Sequence, residues 1–194
     1  MKLRSIIGRT RTRVLKSLVG IGAAVAMLVP SVSLAQERPV SFEARAGAAV
    51  PTFDIADAAK TGWLVGGGVN VPLNDSWGIR AGVDAGFHDA EGAEDVTITT
   101  VHYLAGLEYR YLPPASPWMV SANVGAGAMT IDVEDVDSFT YPAINVGGRL
   151  GYAISERATV FASAQGDIAF SDEDEVGTSD AWVWPFSVGV EISP

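Results

Sequence analysis

Eight stretches of this chain alternate apolar residues with polar or glycine residues at a period of two, each for ten or more residues. They cover 40–53, 61–73, 76–88, 96–112, 118–130, 141–154, 158–170 and 181–192. Apolar side chains fall at i, i+2 and i+4, so each stretch is an extended strand with two unlike faces and not an amphipathic helix. In 76–88, Trp77, Ile79, Ala81, Val83, Ala85 and Phe87 share one face, and Gly78, Arg80, Gly82, Asp84, Gly86 and His88 share the other.

The connections alternate too. Short joins at 74–76, 113–117 and 155–157 follow the second, fourth and sixth stretches. Longer acidic links follow odd ones, including HDAEGAED (88–95), DVEDVDS (132–138) and SDEDEVGTSD (171–180). Short turns at one end and long loops at the other describe an antiparallel up-and-down meander, which eight strands can close, removing the edges. The expectation is an all-β, eight-stranded antiparallel up-and-down barrel.

Such a barrel has two inside-out forms. A soluble, lipocalin-like one lines a cavity with its apolar face; a transmembrane one turns that face to lipid and fills its lumen with the polar face. The polar face here carries eleven glycines, no lysine and nine charged residues. Those nine are Glu43, Arg45, Arg80, Asp84, Glu108, Arg110, Arg149, Asp167 and Glu191. Four positive charges against five negative suit a buried, paired network better than a water-facing surface. The apolar face carries aromatics near strand ends, with Trp63, Trp77, Tyr109, Tyr111, Trp118, Tyr152, Trp182 and Trp184 as the candidate girdle. An arginine on the lipid face near the midplane costs about 2–4 kcal/mol, so turning all four outward costs roughly 8–16 kcal/mol. That is as much as a whole domain's stability. The transmembrane form is therefore expected, with the nine charges as a lumen ion-pair network.

Residues 1–35 read as a secretory signal peptide. Lys2, Arg4, Arg9, Arg11, Arg13 and Lys16 precede an apolar run at 18–29, and Ser33 and Ala35 stand at −3 and −1 of a cleavage point before Gln36. The run is too short to span a bilayer as a helix, and no cysteine follows it to take a lipid. The expected mature domain is 36–194. It holds seven basic and 23 acidic residues, 7 − 23 = −16, so nucleic acid is not an expected partner. With no cysteine, the exported domain uses no disulfide and no thiol chemistry.

On this architecture, 36–194 resembles the small eight-stranded outer-membrane barrels of Gram-negative bacteria, the OmpA-type and related porin-family domains. One local feature matches: barrels of this kind end in a polar residue, a glycine two later and hydrophobic residues at fixed spacing, and Ser187, Gly189 and Ile192 fit. Pro194 stands where an aromatic residue is usual. The resemblance implies an outer-membrane location, lipid and lipopolysaccharide as surroundings, and the barrel assembly machinery as a partner reading the last strand. No peptidoglycan-binding domain follows, so a barrel alone, and a monomer, is expected.

Catalysis finds little support. The two histidines, His88 and His102, accompany no HxS pair, and Ser121 and Ser163 carry no supporting signature, so no enzyme is expected. No cofactor is called for. The acidic loops hold 15 of the 23 acidic residues, and Asp132, Glu134, Asp135, Asp172, Glu173 and Asp174 are candidates for weak divalent binding, although no EF-hand spacing occurs. The expected function is an envelope-structural or surface-interaction role for a barrel whose lumen is plugged by its ion pairs. The alternatives are a narrow channel for small solutes and a soluble periplasmic barrel binding an apolar ligand.

Overall fold

The computed structural model describes residues 39–92, 96–134, 138–172 and 180–194. The expected leader lies outside them, as do Asp135, Glu173 and Asp174. Eight strands run in chain order: β1 (Ser41–Thr52), β2 (Gly62–Pro72), β3 (Trp77–Asp89), β4 (Thr97–Tyr111), β5 (Trp118–Val133), β6 (Ser138–Ser155), β7 (Ala158–Ala169) and β8 (Ala181–Ile192). Each pairs antiparallel with its chain neighbour, and β1 pairs with β8 from Phe42↔Ile192 to Thr52↔Trp182, so the barrel is closed. A 3₁₀ turn, Phe53–Asp57, follows β1 and tucks Ile55 into the loop end of the interior.

Register places the polar phase inside on every strand. In β1, Ser41, Glu43 and Arg45 are buried while Phe42, Ala44 and Ala46 are exposed. Outside, Val124 is 60% exposed, Val146 57% and Val188 66%. A continuous apolar exterior of this kind is intolerable in water and natural in lipid. The soluble alternative is thereby set aside, because its apolar face would have to line the interior.

The strands do not end where the alternation alone places them. β5 continues three residues past Thr130, and β6 begins three residues before Tyr141, taking in part of an expected loop. Along this extension the chemistry of the two faces is exchanged. Met129 and Ile131 are buried with Tyr141, while Asp132, Ser138 and Thr140 are exposed. A span needs about 9–11 residues, and β5 and β6 have 16 and 18. They overrun the bilayer on the loop side, where water is outside and a ribbon must bury its apolar face inward.

Candidate functional site

The lumen gathers the ionisable side chains, and β-alternation is what delivers them, one strand after another. Glu43 on β1 is the hub. It accepts hydrogen bonds from Arg45 on its own strand, from Arg149 on β6, and from Arg80 on β3, whose Nη2 lies 2.7 Å from Oε1. Arg45 also grips Asp84 in two-pronged fashion, Nε to Oδ1 at 2.6 Å and Nη2 to Oδ2 at 2.7 Å. Arg149 continues to Glu191 on β8 at 2.8 Å, and Arg110 on β4 bridges Glu191 at 2.9 Å and Glu108 at 2.8 Å. Neutral side chains fill the remaining lone pairs: Ser41 donates to Glu191 at 2.7 Å, Ser121 to Glu108 at 2.7 Å, and Asn70 to Glu108. Gln165 on β7 receives Arg80 Nη1 at 3.3 Å. All eight strands thus contribute to one connected set. Charge-assisted, multiply bonded pairs are the form in which buried ions are tolerated.

Eight of the nine candidate lumen charges join this set through ion pairs among themselves; Asp167 is tied to it only through Gln165 and pairs with a histidine. Its Oδ2 lies 2.5 Å from His102 Nδ1, and its Oδ1 accepts from Gln165 Nε2 at 2.7 Å. On the far side of the imidazole, His102 Nε2 is 3.2 Å from Thr100 Oγ1, which is 3.4 Å from His88 Nε2. The order Asp167–His102–Thr100 has the connectivity of a hydrolase triad, which a search for serine alone misses. Thr100 is 1% exposed, and a second imidazole occupies the other side of its hydroxyl, so the set is closed off from solvent in this structure.

Above the polar groups, towards the loops, the lumen is apolar. Ala49, Leu64, Ile98, Met129, Ile131, Tyr141, Ala143 and Val183 form a buried layer with Ile55. Sequence reasoning missed this layer, although Leu64 and Met129 sit on the polar phase of their strands and are the signal for it. Within the ionic middle a cavity of about 20 Å³ remains, lined by Arg45, Arg80, Asp84, Asn123, Asn145 and Gln165 among others.

Outside, the candidate girdle residues fall in two tiers. Near the short turns, Trp77 meets Tyr109 edge-on at 5.1 Å, Trp118 meets Tyr152 at 4.9 Å, and Tyr111 is exposed beside them. Near the loops, Trp63 stacks on Phe87 at 4.2 Å, Trp182 meets Phe53 at 5.3 Å, and Trp184 lies across Gly166. A Cβ at Gly166 would sit 3.2 Å from that ring, so the glycine makes its bed. Among the acidic candidates, Asp132, Glu134 and Asp172 are exposed, and Glu134 accepts from the Thr97 amide at 3.3 Å. Among the described residues no group of three or more ligating side chains converges on a metal position.

Comparison with known proteins follows the same architecture. The family model described as an outer membrane protein beta-barrel domain matches residues 21–193. No curated protein sequence matches. Among solved structures, Neisserial surface protein A superposes with a TM-score of 0.61 at 16% identity, over 80% of this chain and 97% of that one. Ail, the attachment invasion locus protein of Yersinia pestis, gives 0.51 at 14% over 81% and 100%. The outer membrane protein OprG from Pseudomonas aeruginosa gives 0.51 at 14% over 81% and 98%. At such identities the likeness establishes a shared fold.

Proposed function

The chain belongs to the outer membrane protein beta-barrel domain family and resides in the outer membrane, and on that footing we propose that it is a closed, rigid barrel holding its loops at the cell surface, in an envelope-structural or surface-interaction role. One observation carries this reading: the ionic set reaches across the lumen from all eight strands and leaves a cavity of about 20 Å³, room for about one water molecule. A hydrated ion cannot follow that path without parting Glu43 from its arginines. The apolar layer towards the loops, with Met129 and Val183 fully buried, is a second barrier, since a dry constriction rejects ions by refusing to wet. The short turns of such barrels face the periplasm, so the acidic loops meet the medium and its cations.

Lipid and lipopolysaccharide are the surroundings this reading assigns to the two aromatic tiers. The barrel assembly machinery is the partner it assigns to β8, and the functional unit is a monomer. The experiment is planar-bilayer recording of the refolded protein. The expected result is a silent membrane. Steady conductance in the nanosiemens range, or solute-dependent swelling of liposomes, would transfer the case to the narrow-channel reading.

A further inference from the structure

The hydrogen-bonded chain that runs Asp167, His102, Thr100, His88 and the Lys60 carbonyl has one more contact than its ordinary protons can fill. It contains four contacts: Asp167 Oδ2 to His102 Nδ1 at 2.5 Å, His102 Nε2 to Thr100 Oγ1 at 3.2 Å, Thr100 Oγ1 to His88 Nε2 at 3.4 Å, and His88 Nδ1 to the Lys60 carbonyl at 2.9 Å. Each needs one hydrogen. A carboxylate, two neutral imidazoles and one hydroxyl supply three. The Lys60 carbonyl only accepts, so His88 spends its proton on Nδ1 and presents a bare Nε2 to Thr100. The Asp167 carboxylate likewise draws the His102 proton to Nδ1. Two bare nitrogens then face one hydroxyl hydrogen.

We propose that this chain is a proton-binding site, holding one extra proton on His102 as an imidazolium paired with Asp167. All four contacts are then satisfied in one direction. His102 donates from Nδ1 to Asp167 and from Nε2 to Thr100; Thr100 donates to His88 Nε2; His88 donates from Nδ1 to the carbonyl. An independent count agrees. The inward charges are four arginines and five carboxylates, so one further positive charge brings the buried set to neutrality. The site is also shaped for the contact: a Cβ on Gly86 would lie 2.7 Å from Thr100 Oγ1 and 3.0 Å from His88 Nε2, so only glycine leaves room there.

The neighbours from each strand leave the proton no other holder nearby. Asp84 on β3 is occupied by Arg45 of β1. β7 brings Gln165, which donates to Asp167, and β6 brings Asn145 and the Tyr141 of the apolar layer. β5 and β8 present Met129 and Val183, which do not titrate. β2 contributes Leu64, and the link before it the Lys60 carbonyl. The site joins the ionic middle of the lumen to its apolar layer, so losing the proton leaves an uncompensated buried carboxylate where the two meet.

The test is side-chain ¹⁵N NMR of the refolded full-length mature barrel, which has only two histidines. At pH 7, His102 is expected to carry hydrogens on both ring nitrogens and His88 on Nδ1 alone. Two singly protonated rings, or the second proton on His88, would overturn the proposal. In Asp167→Asn, His102 is expected to fall back to one ring hydrogen; retention of both would equally overturn it. If that variant does not fold, the near-isosteric Thr100→Val removes the acceptor at Nε2 and is expected to have the same effect, with the same contrary result.

Discussion

Replacing Glu43 with glutamine keeps the shape of the hub and removes its charge, and the structure says where the damage falls. Arg45 retains both prongs on Asp84 at 2.6 and 2.7 Å, and Arg149 retains Glu191 at 2.8 Å. Arg80 loses its closest partner, at 2.7 Å, and keeps Gln165 at 3.3 Å. Its side chain is 10% exposed and that of Glu43 1%, so water cannot replace what is lost. Removing one partner of a buried pair costs about 3–5 kcal/mol, a large share of a typical domain stability of about 5–15 kcal/mol. With a urea slope near 2 kcal/mol per molar, the midpoint moves down by about 2 M. The assay is urea unfolding of the barrel refolded in lipid vesicles, followed by tryptophan emission and by heat-modifiable gel mobility. Because the stranded charge is Arg80, Glu43→Gln combined with Arg80→Met should recover about 0.5–3 kcal/mol relative to the sum of the single changes. The reasoning is refuted if Glu43→Gln costs less than about 1 kcal/mol, or if the two substitutions simply add.

Three other outcomes probe different faces of the barrel. Val124→Arg, on the exterior in the middle of β5, should cost about 2–4 kcal/mol in the same assay, whereas Leu112→Arg at the turn end should cost about 0–1 kcal/mol; equal costs would deny that lipid covers β5. Gly66→Val should destroy the heat-modifiable band, since even a Cβ there overlaps the Asp84 carboxylate, while Gly148→Ala should keep it, with 3.5 Å to its nearest neighbour. Ala115 sits at φ 57° in the turn between β4 and β5, a left-handed position that suits glycine, so Ala115→Gly should raise the urea stability by about 1 kcal/mol.

How far the chain was legible differs from place to place. β8 begins and ends where its alternation does, at Ala181 and Ile192, because it crosses the bilayer with little overrun. The alternation of β5 and β6 stops short of their ends because the pattern inverts after Ala128: a rule with polar inside and apolar outside holds only while lipid is the solvent. By phase Asp167 groups with the arginines, and its charge complements theirs. Its partner is instead His102 on β4, reached across the lumen with β5 and β6 between, where no rule about sequence spacing applies. Thr100 escaped notice because a hydroxyl between two imidazoles requires β3 and β4 in register, His88 opposite Ile98 and Asp84 opposite His102.

Alternation, by itself, determined that this chain makes eight strands, enough to close, and that ionised groups face the axis, since period two assigns faces and the cost of an arginine in lipid assigns sides. Strand register, which sequence spacing does not encode, decided the rest. It chose which arginine meets which carboxylate, placed a threonine between two histidines, and stacked an apolar layer over the ionic one. Pairing across a closed barrel is a property of all eight strands together, so those contacts exist only once the last strand has met the first.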